Sequence, residues 1–103
     1  MINEKLLGVF IPVVTPFKDD EIDYDAVSHN IRKWNDSKVA GYMVLGSNGE
    51  FRSMNDAESN EMVKRYCDET DKVIIAGTSR ESLYHTLKAI DDLEGLPVDF
   101  FSI

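Results

Sequence analysis

Apolar runs divide the chain into units of similar length. Three runs are almost continuous and cover residues 8–15, 41–45 and 72–77, and a fourth covers 98–103. The first run is rich in β-branched residues. Continuous apolar runs are typical of strands that are buried on both faces of a parallel sheet. The first three begin at residues 8, 41 and 72, so they are spaced by 33 and 31 residues. This regularity predicts parallel strands joined by right-handed helical crossovers.

Helical patterns fill the intervals between these strands. Asp23 is a suitable N-cap for a first helix that reaches about Ser37, and Asn55 with Glu58 forms a capping-box signature for the second. Gly95 is expected to end the third helix. The residues predicted to face the core are Val27, Ile31 and Trp34 in the first helix, Met62, Val63, Tyr66 and Cys67 in the second, and Leu83, Leu87, Ile90 and Leu93 in the third.

Two local features modify the first unit. Pro12 lies inside the first apolar run and lacks a backbone N–H, so it requires an edge strand, a bulge or a strand end. Lys18 to Glu21 follow this strand and are expected to form a polar turn.

The order strand–helix–strand–helix–strand–helix–strand places the chain in the α/β class and fits two architectures. One is a complete small doubly wound domain of the flavodoxin type. The other is the first three and a half units of a (β/α)₈ TIM barrel, truncated after its fourth strand. Because Val98–Ile103 is an apolar strand with no helix after it, we expect residues 1–103 to form one incomplete barrel domain.

A polar loop follows the second strand. Gly46 and Gly49 flank Ser47 and Asn48, whose hydroxyl and carboxamide can bind an anion without carrying charge. In parallel α/β proteins, ligands bind where the carboxyl ends of the strands meet such loops. We therefore expect an anion site at this loop.

Composition narrows the choice of partners. A formal net charge of −8, from 11 basic and 19 acidic residues, argues against nucleic acid or an anionic membrane as the partner. Cys67 is the single cysteine, which predicts a reducing compartment, and neither a membrane span nor a signal peptide is visible, so we expect a cytoplasmic protein. His29 and His85 lie off the helical stripes without partner spacing, and the sequence predicts no metal and no cofactor.

Three motifs agree with those of one enzyme family. The most specific is the segment from Gly41 to Phe51 with Glu58 seven residues further on. The others are Pro12 to Phe17 at the end of the first strand and Val73 to Thr78 at the end of the third. Together they resemble the N-terminal part of the dihydrodipicolinate synthase / N-acetylneuraminate lyase family, which consists of pyruvate-dependent Schiff-base lyases and aldolases on a (β/α)₈ barrel.

The resemblance implies a role for each residue of the loop. Ser47 and Asn48 would bind the carboxylate of pyruvate or another 2-oxo acid, within the backbone framework of Gly46 and Gly49, and Ser47 would also join a tyrosine-centred proton relay as a catalytic residue. Thr15 would line the same pocket. Asn48 stands where many members have threonine, which favours the aldolases of 2-oxo acids and sugar acids, such as 4-hydroxy-2-oxoglutarate, over the lysine-biosynthetic synthases.

The resemblance also implies that two catalytic residues of the family lie beyond Ile103. These are the Schiff-base lysine, which belongs to strand six, and the relay tyrosine, which belongs to strand five. We therefore expect this chain to be inactive by itself. We also expect the chain to form a homo-oligomer or to self-associate through its exposed strands. The alternatives are a non-catalytic truncated remnant that persists by self-association, and a small flavodoxin-like domain that binds an anion at Gly46–Gly49.

Overall fold

A computed structural model describes residues 7–46 and 54–102. The elements in chain order are β1 (Phe10–Pro12), β2 (Phe17–Lys18), β3 (Glu21–Ile22), α1 (Tyr24–Asn35), β4 (Gly41–Val44), α2 (Asp56–Glu69), β5 (Val73–Gly77), α3 (Leu83–Asp92) and β6 (Phe100–Ser102).

The main sheet consists of four parallel strands in the order β1-β4-β5-β6. Each strand therefore pairs with the next strand of the predicted strand–helix repeat, which confirms the α/β class and the parallel crossovers. A doubly wound sheet reverses its strand order at a switch point, whereas a barrel adds its strands in sequence. Within the described residues the order is sequential throughout, as in one part of a barrel.

The helices cover one face of this sheet. Tyr42, Val44, Ile74 and Ala76 are at most 1% exposed and form one core with residues of α1 and α2. Residues that alternate with them point to the opposite face. These residues are only half-buried: Phe10, Met43, Ile75 and Phe100.

The caps and core faces of α1 and α2 agree with the sequence predictions. The Asp23 carboxylate accepts a hydrogen bond from the backbone N–H of Ala26 at 3.1 Å, and both bonds of the capping box between Asn55 and Glu58 are present. All of the predicted core residues of these helices are buried except Trp34 and Cys67, which are half-buried. Burial raises the pKa of the Cys67 thiol to about 11. No helix in the described part of the chain is long and apolar enough to cross a membrane.

The predicted inward face of α3 is partly wrong. Leu83 and Leu87 are 74% and 53% exposed, whereas Thr86 and Ala89 are buried together with Leu93. The helix is rotated so that its smaller side chains face the protein, and the Thr86 hydroxyl accepts a hydrogen bond from the backbone N–H of Arg80 at 3.0 Å. Small residues allow the helix to approach its neighbours closely, which a leucine stripe would prevent.

In the first unit the strand is shorter than predicted, whereas the predictions for Pro12 and for the polar turn are confirmed. Strand β1 is shorter than the apolar run and ends at Pro12 on the edge of the sheet, as the missing N–H of proline requires. The expected polar turn is a hairpin in which Phe17 pairs with Ile22, and Asp19 and Asp20 have positive φ angles of 52° and 66°. Two successive positive φ angles define the type I′ turn, which matches the twist of antiparallel strands.

Candidate functional site

The predicted site residues that the structure describes lie at the carboxyl end of the parallel sheet. Pro12 pairs with Met43, so Thr15 and Gly46 each lie three residues beyond the same rung of the sheet. Thr15 is buried at 5% exposure, and Gly46 directly follows the end of β4. The topology therefore brings these two residues to one edge, as the sequence predicted.

The remaining site residues, Ser47, Asn48 and Gly49, lie outside the described residues. Their contact with a ligand stays a prediction. The backbone on both sides of them is described, and it shows how the loop is attached.

On the strand side, the chain turns at Leu45. This residue has a φ angle of +66°, which is in the left-handed region, and its side chain is 3% exposed. The left-handed conformation costs a residue other than glycine about 1–2 kcal/mol. A large apolar residue keeps such an angle only where its surroundings enforce it.

The surroundings of Leu45 include the neighbouring strand. The carbonyl group of Leu45 lies against Gly77 at the end of β5, where a Cβ atom would contact the Leu45 carbonyl oxygen and lie 2.9 Å from the carbonyl carbon. Any side chain at position 77 would require the backbone to move. Glycine at this position therefore makes room for the turn that leads into the loop.

On the helix side, the loop ends at the N-terminus of α2. The Asn55 side chain accepts from the backbone N–H of Glu58 at 2.8 Å, and the Glu58 carboxylate accepts from the backbone N–H of Asn55 at 3.0 Å. This capping box fixes where the helix begins. The described backbone before residue 47 is thus a turned strand end, and the described backbone after residue 53 leads into a capped helix start.

The next loop along the sheet contributes polar groups that the sequence motifs did not identify as site residues. Thr78 is fully buried and joins β5 to β6, because its backbone N–H donates to the Ser102 carbonyl oxygen at 2.9 Å. The Arg80 guanidinium donates to the Ser79 carbonyl oxygen at 3.0 Å. A polar segment directly after a strand was the available signal for both.

The opposite, amino end of the sheet holds a separate polar cluster around Asn35. Its Oδ1 accepts hydrogen bonds from the hydroxyls of Tyr42 and Thr70, each at 2.7 Å, and its Nδ2 donates to the Glu69 carbonyl oxygen at 3.0 Å. Burial raises the pKa of Tyr42. A cavity of about 380 Å³ adjoins this cluster, lined by Asn35, Asp68, Glu69, Thr70, Asp71 and Lys72.

The lysines whose contacts are described do not resemble an activated amine. Lys72 lies at the amino end, as predicted, and donates to the carbonyl oxygens of Ser37 and Val39 at 3.0 and 2.8 Å. Hydrogen bonds to Asp68 and Asp92 raise the pKa values of Lys64 and Lys88. A Schiff-base lysine requires a pKa shift in the other direction. Among the described residues there is also no group of three or more acidic, histidine or cysteine side chains that could hold a metal.

Comparison with known proteins tests the family resemblance. The sequence pattern of the Dihydrodipicolinate synthetase family matches residues 5–99. A 4-hydroxy-tetrahydrodipicolinate synthase of Thermotoga neapolitana is 35% identical over 94 residues, covering 89% of this chain and 32% of that protein. The chain thus spans about a third of the length of this relative.

Solved structures give the same result for the fold. A dihydrodipicolinate synthase from Thermotoga maritima has a TM-score of 0.85 at 30% identity, over 91% of this chain and 32% of that one. An N-acetylneuraminate lyase from Proteus mirabilis has a TM-score of 0.85 at 23% identity, over 91% of this chain and 33% of that one, and this likeness concerns the fold alone. The predicted resemblance is confirmed: the chain belongs to the dihydrodipicolinate synthetase family.

Proposed function

We propose that the chain supplies the carboxylate-binding part of a Schiff-base lyase that acts on pyruvate or another 2-oxo acid. The observation that supports this most strongly is the attachment of the Gly46–Gly49 loop, between a turned strand end at Leu45 and the capping box of α2. Both attachments lie at the carboxyl end of a parallel sheet, where barrel enzymes place their active sites.

The chemistry of the loop suits a carboxylate. Backbone N–H groups, the Ser47 hydroxyl and the Asn48 amide can donate hydrogen bonds to two carboxylate oxygens, and glycines on both sides allow close approach. Because these donors are neutral, they bind the carboxylate without placing a positive charge beside the 2-oxo group. In the proposed reaction, an amine attacks the 2-oxo carbon and water leaves to give an iminium. The iminium accepts the electron pair released when the neighbouring carbon loses a proton (condensation) or when its bond to the aldehyde carbon breaks (cleavage), and the product of either step is the enamine.

The chain would need further βα units for this reaction. Residues 1–103 are proposed to form the first three and a half units of a barrel, with the attacking lysine and the relay tyrosine supplied by later strands. Ser47 would pass a proton between the substrate and that tyrosine. The motif with Asn48 favours an aldolase of 2-oxo acids or sugar acids, and this preference rests on the motif alone.

Titration of the isotopically labelled chain with pyruvate tests the binding site by NMR. We expect the backbone amide signal of Gly46 to shift with pyruvate and to stay unchanged with pyruvamide, which has no carboxylate. Equal shifts with both compounds, or none with pyruvate, would contradict a carboxylate site.

A chimaera tests the role in catalysis. This chain would replace the matching 94 residues of the Thermotoga neapolitana synthase, and borohydride would be used to trap the pyruvate imine for mass spectrometry. We expect an adduct on the chimaera and none on the isolated chain. Ser47→Ala should slow turnover by the chimaera by about 10²-fold or more, whereas Ser37→Ala, at the amino end, should not.

A second candidate, a non-catalytic remnant that self-associates, is favoured by the exposed apolar residues near both sheet edges. Val9 is 69% exposed beside β1 at one edge, and Phe101 is 40% exposed in β6 at the other edge. Analytical ultracentrifugation measures self-association independently of pyruvate binding. Multimers without a pyruvate response would favour the remnant, and a monomer at all concentrations would rule it out.

A further inference from the structure

We propose that Gly77 is a positioning residue: its missing side chain admits the Leu45 carbonyl group, and this contact sets the direction in which the Gly46 loop leaves β4. The inference rests on the proposed function only where it concerns ligand affinity. Its structural part concerns the two neighbouring strand ends and holds without a ligand.

The contact lies one residue beyond the last shared rung of β4 and β5. The register pairs Val44 with Ala76, so Leu45 and Gly77 are next to each other beyond the final pair. A Cβ atom on Gly77 would lie 2.9 Å from the Leu45 carbonyl carbon and 3.4 Å from the Val44 carbonyl oxygen. These are backbone atoms, which cannot yield by a change of rotamer.

Leu45 has no freedom to turn its carbonyl elsewhere. Its side chain belongs to the core cluster and is 3% exposed, so rotation of the backbone would withdraw an apolar group from the core. Its φ angle of +66° is one that leucine avoids when unconstrained. Two constraints, the core on one side and Gly77 on the other, therefore hold an unfavourable backbone angle.

The φ angle of Leu45 determines the orientation of the next residue, Gly46. Gly46 is the first residue of the polar loop, and a Cβ atom there would lie 3.4 Å from the Met43 sulfur. A change in the Leu45 angle would rotate Gly46, the first residue of the proposed site. In this arrangement β5 preorganises a site that β4 carries, without touching the ligand itself.

The two strands also provide a matched control. Gly41 lies at the amino end of the same pair, against the carbonyl group of Val73, where a Cβ atom would lie 2.8 Å from the carbonyl carbon. Gly41→Ala and Gly77→Ala therefore introduce the same atom into the same kind of backbone contact, at opposite ends of one strand pair. Both should lower the thermal transition temperature.

The experiment uses NMR at a temperature below the unfolding transition of each variant. The HN–Hα coupling and carbon shifts of the ligand-free chain give the Leu45 φ angle. The Gly46 amide signal, followed during titration, gives the pyruvate affinity. We expect Gly77→Ala to move Leu45 out of the left-handed region, to shift Gly46 and to weaken pyruvate binding at least about tenfold. Gly41→Ala should leave all three unchanged. An unchanged Leu45 angle in Gly77→Ala, or equal changes in both variants, would overturn the proposal.

A second pair of variants covers the case in which Gly77→Ala does not fold. Leu45→Val keeps an apolar side chain but adds β-branching, which tolerates positive φ poorly, and Leu45→Met is the unbranched control. We expect only Leu45→Val to shift Gly46, and identical spectra for the pair would refute the inference. If the parent chain shows no response to pyruvate, the proposed function fails, while the ligand-free angles still decide the role of Gly77.

Discussion

The two ends of the parallel sheet are built differently. At the amino end, side chains close the structure through hydrogen bonds: Asn35 accepts from Tyr42 and Thr70, and the Asp99 carboxylate accepts from the backbone N–H of Ile74 at 3.0 Å. At the carboxyl end, a strand end is held by a backbone contact and an unfavourable angle at Leu45. The first arrangement stabilises the fold, and the second holds the strand end from which the proposed binding loop starts. This division agrees with the separation of stability and activity between the two faces of barrel enzymes.

The largest effect on stability is expected from Asn35→Ala. The change removes the acceptor of two hydroxyl groups, and Tyr42 is 0% exposed, so its hydroxyl cannot easily turn to water. We expect the free energy of unfolding to fall by about 2–3 kcal/mol, as measured by urea denaturation.

The matched control for this variant is Asn60→Ala, which removes an exposed hydrogen bond to Asp92. It should change stability by less than about 0.5 kcal/mol. Pyruvate affinity should be equal in both variants. Weaker pyruvate binding by Asn35→Ala would show that the two ends of the sheet are not independent.

Ser47→Ala is the opposite case. Loss of one hydrogen bond to a charged carboxylate should weaken pyruvate binding by about tenfold or more, measured by the same NMR titration. Unfolding in urea should be unchanged. A variant that lost stability and kept its affinity would place Ser47 in the fold instead of the site.

The amino end can also be tested through pH, because Cys67 lies in the last turns of α2. Burial raises its pKa to about 11, so the folded chain keeps the thiol protonated where the unfolded chain releases the proton. The contribution to stability is complete below the ordinary thiol pKa and is lost as pH rises through the folded value. We expect the parent chain to lose about 1 kcal/mol more than Cys67→Ala between pH ~9 and ~11, after allowance for partial solvation of the thiol.

Parallel slopes of stability against pH for the two chains would contradict this assignment. Burial also raises the pKa of Tyr66. Because both chains contain this tyrosine, its contribution to the slope is the same in both and cancels in the comparison.

The smallest effect is expected at the carboxyl end, in the hairpin after β1. Asp20 has a φ angle of 66°, so Asp20→Gly should stabilise the chain by up to about 1 kcal/mol. Asp36→Gly is the control, because Asp36 has a φ angle of −78° and gains nothing from glycine. A thermal melt of both variants is sufficient, and a lower transition temperature for Asp20→Gly would contradict the turn assignment.

The sequence predicted the elements that repeated patterns define and missed those that depend on single contacts. The strands and the first two helices followed from apolar periodicity and capping residues, because burial on a sheet leaves a strong periodic signal. The orientation of α3 did not, since Thr86 is held inward by the Arg80 backbone while Leu83 points outward. Nothing in the local pattern shows which of two adjacent faces a helix will present.

The site was predictable to a similar depth. Two motifs suggested Gly46 and Thr15 as candidates, and parallel topology was enough to bring them to one edge, while their contact with a ligand stays a prediction. The roles of Leu45 and Gly77 were not predictable, because a positive φ on leucine and a contact between strand ends depend on packing that only the folded chain has.

The capping box of α2 has a consequence for how this chain can vary over evolutionary time. Because Asn55 and Glu58 bind each other's backbone, the start of the helix does not depend on the residues that precede it. We therefore expect that side chains at residues 47–53 can be exchanged without a change in where α2 begins. A deep mutational scan should find residues 47–53 tolerant for abundance and restrictive for ligand selection, the pattern expected of a segment through which one scaffold acquires new substrates.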